Sequence, residues 1–389
     1  MNGVNSNKKI LIMAGGTGGH VFPALAIAKF LQSNNVVVEW LGTERGLEST
    51  VIPDAGIPLN LVSIGGLRGK SLWRKVSSPL RILKAIFQSS RHIRRLKPDC
   101  VLGMGGFVTG PGGVAAWLNR VPLVIHEQNA IAGFTNLMLL PFATIAMEAF
   151  PDAFLRKHEM DSSFLSKRIS VRNRAIAVVG NPVRKEINDV GQAFEDKSKH
   201  LRPRILVVGG SLGAVAINKV IPEVIAAFEP EVRPDVWHQC GDKNLEETVA
   251  KYQEVGLQVN VENDEVHKIK VSRFIENMAE AYTWADVVIC RSGALTVSEL
   301  AAAGLASILI PYPSAVDDHQ TENADYLVRN DAAYLLPQPK LNKTSLGSLL
   351  SKLFVDNSLI NSMSRKALAL AKPDACELAG QYCLEVCHD

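Results

Sequence analysis

Features that mark secreted, membrane-spanning and metal-binding proteins are scarce in this chain. Its six cysteines form no CxxC pair, which argues against a disulfide framework and favours reduced thiols in a cytosolic protein. No apolar run reaches the roughly 20 residues that a membrane span requires. The N-terminus, MNGVNSNKK, lacks the apolar core of a signal peptide. These absences predict a protein that is soluble or peripheral to a membrane.

Strong charge and abundant aromatic side chains are also missing. The formal net charge is only +3, and aromatic residues make up 6% of the chain. Because nucleic-acid binding relies on basic surfaces and stacked aromatic rings, these values argue against a nucleic-acid partner. With 389 residues and 47% hydrophobic content, the chain is long enough for two domains, each with its own core.

Acidic residues are absent from one long stretch, between Asp54 and Asp99. Ten lysines and arginines lie there, interleaved with apolar residues that include Leu72, Trp73, Val76, Leu80, Leu83 and Phe87. Mixed basic and apolar side chains are typical of a segment that contacts an anionic membrane surface. The alternative is a core helix with a solvated basic face, since part of this stretch must pack on the sheet.

One kind of glycine-rich turn occurs twice, about half a chain apart. Lys8–Gly19 reads KKILIMAGGTGG and Arg204–Ala214 reads RILVVGGSLGA. Each joins a continuously apolar strand to a helix, as in a parallel sheet that is covered on both faces. The backbone of such a turn can approach a ligand closely, and the helix N-terminus favours anions. The sequence therefore predicts an α/β fold of two nucleotide-type domains that face each other across a cleft.

We expect the first domain to span residues 1–180 and the second 181–365, followed by a helical tail at 366–389. The polar stretch 152–174 is predicted to be an insertion near the end of the first domain. The tail could return to pack on that domain. Its three cysteines have helical spacing, which favours packing of small side chains over metal binding; they are Cys376, Cys383 and Cys387.

Candidate functional residues of the first domain follow its predicted strands, where α/β proteins form their sites. His20 begins the helix after the first glycine turn and could accept a proton, unless it is a structural histidine bonded to backbone. Gly103–Gly113 (GMGGFVTGPGG) directs backbone amides at a ligand such as a second phosphate, or is a mobile loop. His126–Asn129 is predicted to line the cleft, with Glu127 orienting a base or binding a hydroxyl; the alternative is a solvated loop.

The second domain carries its strongest local pattern at Asp286–Glu299 (DVVICRSGALTVSE). A strand leads through a glycine into a helix whose first amides, at Ala294–Thr296, suit a diphosphate. Glu299 could accept hydrogen bonds from ribose hydroxyls; the alternative is a capped helix with no ligand. The polar group Asp317–Gln320 is weighed as a metal site and set aside, because no second cluster completes it.

These motifs together resemble the MurG family of bacterial glycosyltransferases. The resemblance rests on GGTGGH, GLRGK, GMGGFVTGPGG, HEQN, GNPVR, GGSLGA and RSGALTVSE, in that order, between Ile10 and Asn323. It implies a GT-B fold of two Rossmann-like domains and metal-free, inverting transfer of N-acetylglucosamine from UDP-N-acetylglucosamine. The implied acceptor is the C4 hydroxyl of undecaprenyl-diphosphate-linked N-acetylmuramyl-pentapeptide (lipid I), which gives lipid II for peptidoglycan synthesis. The implied location is peripheral, on the cytoplasmic face of the bacterial inner membrane, with cell-wall synthesis proteins as possible partners.

The resemblance also assigns residues by matching position. His20 is the implied catalytic base, with Glu127 as competitor. The implied donor contacts are Thr17, Gly18, Gly19, Asn129, Arg184, Ser211, Ile275, Ala294, Leu295, Thr296, Val297, Ser298, Glu299 and Gln320. Among these, Ile275 would face the uracil through its backbone, and Gln320 lies where the family pattern matches less closely. The implied seat of the acceptor diphosphate is Gly105, Gly106, Thr109 and Gly110. The implied membrane contact is Leu72, Trp73, Lys75, Val76, Leu80, Leu83 and Phe87.

Three other functions remain open from the residues alone. An NAD-dependent oxidoreductase would use Glu39 as its ribose acid, although the first glycine turn is out of register for one. A sugar-nucleotide epimerase could share the fold, but it would leave the basic and apolar stretch unexplained. A non-catalytic membrane scaffold would tolerate removal of His20, Asn129 and Glu299.

Overall fold

The computed structural model describes residues 8–64, 72–160, 175–193, 202–210, 213–261, 268–313 and 318–387. The chain divides into two compact units. Unit 1 comprises Met1–Val183 together with Lys372–Asp389, and unit 2 comprises Arg184–Ala371. The C-terminal segment therefore belongs to the same unit as the N-terminus.

Unit 1 is built on a parallel sheet of seven strands in the order β3-β2-β1-β4-β5-β6-β7. The strands are β1 (Lys9–Met13), β2 (Val37–Gly42), β3 (Leu59–Leu61), β4 (Cys100–Gly103), β5 (Leu123–Glu127), β6 (Ile145–Glu148) and β7 (Ile176–Val178). The helices are α1 (Gly18–Ser33), α2 (Glu48–Asp54), α3 (Leu72–Leu96), α4 (Thr109–Leu118), α5 (Phe134–Leu139), α6 (Ala153–Met160) and, from the C-terminal segment, α15 (Ala375–Glu385).

Successive residues of β1 enter cores on opposite faces of this sheet. Ile10 and Ile12 pack with α1 and α15, whereas Leu11 and Met13 pack with α4 and α5. All four side chains are fully buried. A strand that is apolar on both faces needs helices on both faces, which is why the continuous run predicted a parallel sheet correctly.

Unit 2 repeats the architecture, with strand order β10-β11-β9-β8-β12-β13-β14 and parallel pairing throughout. The strands are β8 (Arg204–Val208), β9 (Asp235–Gln239), β10 (Asn260–Val261), β11 (Ile269–Ser272), β12 (Val287–Cys290), β13 (Ala306–Leu309) and β14 (Ala333–Leu335). The helices are α7 (Lys185–Gln192), α8 (Val215–Ala226), α9 (Leu245–Glu254), α10 (Met278–Trp284), α11 (Ala294–Ala303), α12 (His319–Val328), α13 (Lys343–Val355) and α14 (Asn357–Ala369).

Each sheet reverses its strand order beside its first strand. In unit 1, β1 lies between β2 and β4, and in unit 2, β8 lies between β9 and β12. Ligands of open α/β sheets bind outside the carboxyl ends of the strands at such a reversal. The two Rossmann-like folds predicted from the sequence are confirmed, and both glycine-rich turns leave the strand at the reversal.

Candidate active site

In unit 1, the loops after three adjacent strands meet around His20. This half-buried residue is in the first turn of α1, and its Nδ1 lies 3.0 Å from Oε1 of Gln128, which follows β5. The loop after β4 packs against the same ring, because a Cβ added to Gly105 would lie 2.7 Å from Nδ1. The structure thus brings together the GGTGGH, GMGGF and HEQN segments at one sheet edge.

Two glycines of the loop after β4 have no room for a side chain. Gly105 and Gly106 have φ angles of +95° and +81°, which favour glycine strongly. A Cβ on Gly106 would lie 2.2 Å from the carbonyl oxygen of Gly15. The two glycine loops therefore touch through their backbones, and their mutual position depends on the absence of side chains.

A buried carboxylate that the sequence did not single out holds the first glycine loop. Glu48 is fully buried at the start of α2. Its Oε2 accepts a 2.9 Å bond from the Gly16 amide, and its Oε1 accepts from the Thr43 amide at 3.0 Å and the Thr43 hydroxyl at 2.7 Å. Carboxylates satisfied by several donors stabilise a fixed loop shape. No local pattern marked this glutamate, because it lies 32 positions from its loop partner.

The carboxylate of Glu127 is engaged by its own loop. Its Oε1 accepts from the backbone and side-chain amides of Asn129 at 3.0 and 3.1 Å. Its Oε2 accepts from the Gly133 amide at 2.9 Å and the Asn136 side chain at 2.8 Å. With only 2% of the residue exposed, this carboxylate orders the loop after β5.

The remaining predicted residues of unit 1 lie around the same edge. Thr17 is the N-cap of α1, and Gly18 and Gly19 begin that helix. Thr109 is fully buried, and its hydroxyl lies 3.0 Å from the Met13 carbonyl and 2.6 Å from that of Gly105. Its side chain therefore braces the loop after β4.

In unit 2, α11 begins directly after β12 at the reversal of the sheet. Gly293 is its N-cap, and the left-handed Gly304 ends it. The first turn, Ala294–Val297, contains no acidic residue. The N-terminal turn of a helix lacks intrahelical acceptors for its amides and carries partial positive charge. The geometry at this point suits an anionic group, and the diphosphate site expected there stays a prediction.

Glu299 lies further along α11 and forms a three-residue cluster with Arg184 and Tyr282. Its Oε1 is 3.3 Å from a guanidinium nitrogen of Arg184, and its Oε2 accepts a 3.0 Å bond from the Tyr282 hydroxyl. Burial raises the pKa of Glu299, while the cation and the hydroxyl act in the opposite direction. A carboxylate has about four acceptor sites, so this one can accept from a further hydroxyl. A pocket of about 350 Å³ adjoins Arg184 and is also lined by Ile187 and Met278.

The side-chain amide of Gln239, which the sequence analysis did not single out, holds the glycine turn after β8. Gln239 ends β9, and its Oε1 accepts from the Gly210 amide at 3.1 Å. Its Nε2 donates to the Gly210 and Arg273 carbonyls at 3.1 and 2.9 Å. The neighbouring Ser211, a predicted donor contact, lies outside the described residues.

The last two predicted donor contacts of unit 2 lie after β11 and in α12. Ile275 is buried. The side-chain oxygen of Gln320 accepts a 2.8 Å bond from the Tyr312 amide, so its NH₂ end is the part that can donate to a ligand. Arg291 fixes the same segment by donating to the carbonyls of Ile310 and Pro311 at 3.0 and 3.1 Å.

The long helix α3 lies within the basic and apolar stretch. Leu80, Leu83 and Phe87 are 72%, 61% and 71% exposed, and Arg81 and Lys84 are exposed beside them. Of the predicted membrane contacts, the side chains of Leu72, Trp73, Lys75 and Val76 lie outside the described residues. Within the described ranges no helix is long and apolar enough to cross a membrane. The same part of the chain contains no group of three or more side chains suited to a metal ion; Asp317 lies outside it.

Two family models match the chain, one in each half. The model of the glycosyltransferase family 28 N-terminal domain matches residues 10–147, and that of the family 28 C-terminal domain matches residues 204–378. The UDP-N-acetylglucosamine--N-acetylmuramyl-(pentapeptide) pyrophosphoryl-undecaprenol N-acetylglucosamine transferase of Stutzerimonas stutzeri is 48% identical over 379 residues, which cover 97% of this chain and 99% of that protein.

Two solved structures are similar to the chain, one at high and one at low sequence identity. The crystal structure of Acinetobacter baumannii MurG is similar with a TM-score of 0.79 and 39% identity, covering 97% of this chain and 99% of that one. A UDP-N-acetylglucosamine 2-epimerase is similar with a TM-score of 0.62 but only 14% identity, covering 96% and 94%. The second likeness shows a shared fold alone.

Proposed function

The chain belongs to glycosyltransferase family 28 and to its MurG members, and from this premise we propose that it makes lipid II. In this reaction N-acetylglucosamine passes from UDP-N-acetylglucosamine to the C4 hydroxyl of undecaprenyl-diphosphate-linked N-acetylmuramyl-pentapeptide, with inversion at the anomeric carbon. The observation that carries the proposal is the 48% identity over nearly the full length of both proteins to a transferase of that name.

We place the donor in unit 2. The start of α11, Ala294–Ser298, holds the diphosphate, because the helix dipole and the first amides, at Ala294–Thr296, favour anions without a counter-cation from a side chain. Glu299 accepts from the ribose hydroxyls while Arg184 and Tyr282 hold its carboxylate in place. The backbone at Ile275 faces the uracil.

The proton of the attacking hydroxyl goes to His20 in this proposal. Its imidazole is half-buried at the sheet edge, where three loops converge. Glu127 is the weaker candidate, because four donors from its own loop already occupy its oxygens. The amides of Gly105, Gly106 and Gly110 form the seat of the acceptor diphosphate.

Contact with the membrane is assigned to the exposed side of α3. Leu80, Leu83 and Phe87 share that side with basic residues. Apolar side chains that insert among lipid headgroups, flanked by cations that attract anionic lipids, hold a peripheral protein at a bilayer surface. A lipid-linked acceptor on the cytoplasmic face of the inner membrane requires such a surface.

The test is release of UDP from UDP-N-acetylglucosamine, with and without a lipid I analogue, in EDTA. Acceptor-dependent release is expected, and its absence from a folded preparation would refute the function. His20→Ala should lower kcat by about 10²–10⁴, the usual contribution of a general base, with little change in the Kd for UDP. His92→Ala, which alters another histidine of unit 1, is the matched control and should leave kcat near that of the wild type.

A further inference from the structure

A continuous row of hydrogen-bonding groups runs from His20 into the interior of unit 1. His20 Nδ1 lies 3.0 Å from Gln128 Oε1, and Gln128 Nε2 lies 3.2 Å from His126 Nδ1. His126 Nε2 lies in turn 3.0 Å from the carbonyl oxygen of Gly180. Gln128 and His126 are 2% and 0% exposed, so solvent does not compete for the two inner bonds of the row, whereas His20 at its outer end is half-buried.

Two backbone carbonyl oxygens, those of His126 and Gly180, can only accept hydrogen bonds. They fix the direction of every bond in the row. Gln128 Nε2 lies 3.2 Å from the backbone oxygen of His126, so this end of the amide must be the NH₂ group. The opposite orientation would place two acceptors against each other. Gln128 Oε1 is therefore the atom that faces His20.

The inner end of the row agrees with this orientation. Since the Gln128 NH₂ group donates to His126 Nδ1, that nitrogen carries no hydrogen, and His126 Nε2–H donates to the Gly180 carbonyl. His126 must then be neutral, and burial lowers its pKa to about 4. In His126, therefore, Nδ1 accepts a hydrogen bond and Nε2 donates one.

The outer end sets the tautomer of His20. Gln128 Oε1 can only accept, so His20 Nδ1 must carry the hydrogen, and the second nitrogen of the neutral ring is left without one. We propose that Gln128 and His126 are positioning residues that keep His20 in this tautomer, with Nε2 as the atom that receives a proton. The proposal rests on the proposed function for the source of that proton, the C4 hydroxyl of the acceptor sugar.

Such an arrangement also stabilises the product of proton transfer. When His20 becomes an imidazolium, both nitrogens donate, and Gln128 Oε1 is already in place as an acceptor. The Gly105 backbone lies against the Nδ1 edge of the ring, which limits its rotation. A neutral amide supplies the acceptor here, where serine hydrolases use a carboxylate to hold the tautomer of their histidine.

The direct test is the position of the imidazole hydrogen in the unmodified protein. The full-length chain is labelled with ¹⁵N-histidine and its spectrum recorded at alkaline pH, where imidazole is neutral; the His20 signals are identified by their loss in His20→Gln. A hydrogen on Nδ1 and a bare Nε2 are expected. A hydrogen on Nε2 would overturn the proposal. This readout needs no turnover, so an inactive protein with the expected tautomer would refute the function and not the positioning row.

The second test asks whether Gln128 acts through His20. Gln128→Met keeps the side-chain length and removes the amide; it should lower kcat about 10- to 100-fold, less than the roughly 10⁴ lost when a triad histidine has the wrong tautomer. The Kd for UDP should not change. In a His20→Ala background the same substitution should have no further effect on kcat. An equal loss in both backgrounds would overturn the proposal, because Gln128 would then act on the fold. Gln32→Met, at an exposed position of α1, is the matched control.

Discussion

The buried carboxylate of Glu48 gives the sharpest stability prediction for unit 1. Both of its oxygens accept hydrogen bonds, one from Gly16 and two from Thr43. Glu48→Gln replaces one oxygen with an NH₂ group, and either orientation of the new amide places a donor against a donor. The substitution therefore removes at least one bond that rotation of the side chain cannot restore.

The size of the effect follows from the bonds that change. Losing a charge-assisted hydrogen bond costs about 1.5–3 kcal/mol, and the bonds that remain weaken by about 1 kcal/mol each when the acceptor becomes neutral. Burying a neutral amide in place of a carboxylate returns part of this, because desolvation of a charge is itself unfavourable. The expected net loss is about 2–3 kcal/mol of unfolding free energy.

The assay is urea unfolding monitored with a spectroscopic probe in unit 1. Transferase activity is measured on the same variants. With an m value of about 3 kcal/mol/M, the midpoint should fall by about 0.7–1 M. Turnover should also fall, because the Gly15–Gly16 turn touches the Gly106 backbone. Glu44→Gln, the same change at an exposed neighbour, should have no effect. Equal midpoints for the two variants would refute the reasoning.

Three further predictions concern other parts of the molecule. Tyr282→Phe removes a donor from the buried Glu299, which should cost about 1–3 kcal/mol of stability and weaken UDP binding in calorimetry; unchanged values in both would contradict the cluster. Burial lowers the pKa of His238 from 6.5 to about 3, so the folded state keeps it neutral while the unfolded state takes up a proton below 6.5. Stability should therefore fall as the pH drops from about 6.5 towards 3, by up to about 4–5 kcal/mol, and His238→Asn should show a flatter dependence in urea unfolding. Phe87→Asp should reduce sedimentation with anionic vesicles, whereas Val355→Asp, on an exposed site of unit 2, should not.

The sheets were predictable because their information is local. Strands such as β1 are short apolar runs bounded by glycine, and the helix that follows them sets a parallel connection. Other strands carry no such local pattern because they are short or polar: β3 and β14 have three residues each, and β11 contains a lysine and a serine. Their identity as strands depends on the neighbours that they pair with.

The site was predictable only where a residue lies next to its own strand end. His20 follows the turn after β1, and the topology alone places it at the ligand edge. The roles of Glu48, Gln128 and Tyr282 depend on partners 17 to 108 positions away in sequence. No spacing rule connects such pairs, so their function as supports of the site emerges only from the folded arrangement.

Both units hold a glycine turn with a polar side chain, but the side chain is a carboxylate in unit 1 and an amide in unit 2. This difference in charge bears on where the anionic donor binds. In each unit a polar side chain accepts a hydrogen bond from the glycine turn after the first strand. In unit 1 it is Glu48, from the helix that follows β2, and it bonds Gly16. In unit 2 it is Gln239, from β9, and it bonds Gly210. A carboxylate beneath a turn adds negative charge that opposes a diphosphate there, whereas an amide accepts one bond and donates others without charge. The neutral clamp therefore suits the turn of the unit proposed to bind UDP-N-acetylglucosamine. The charged clamp suits a turn that supports a histidine base and at which we seat no phosphate, since the acceptor diphosphate is assigned to the separate loop after β4.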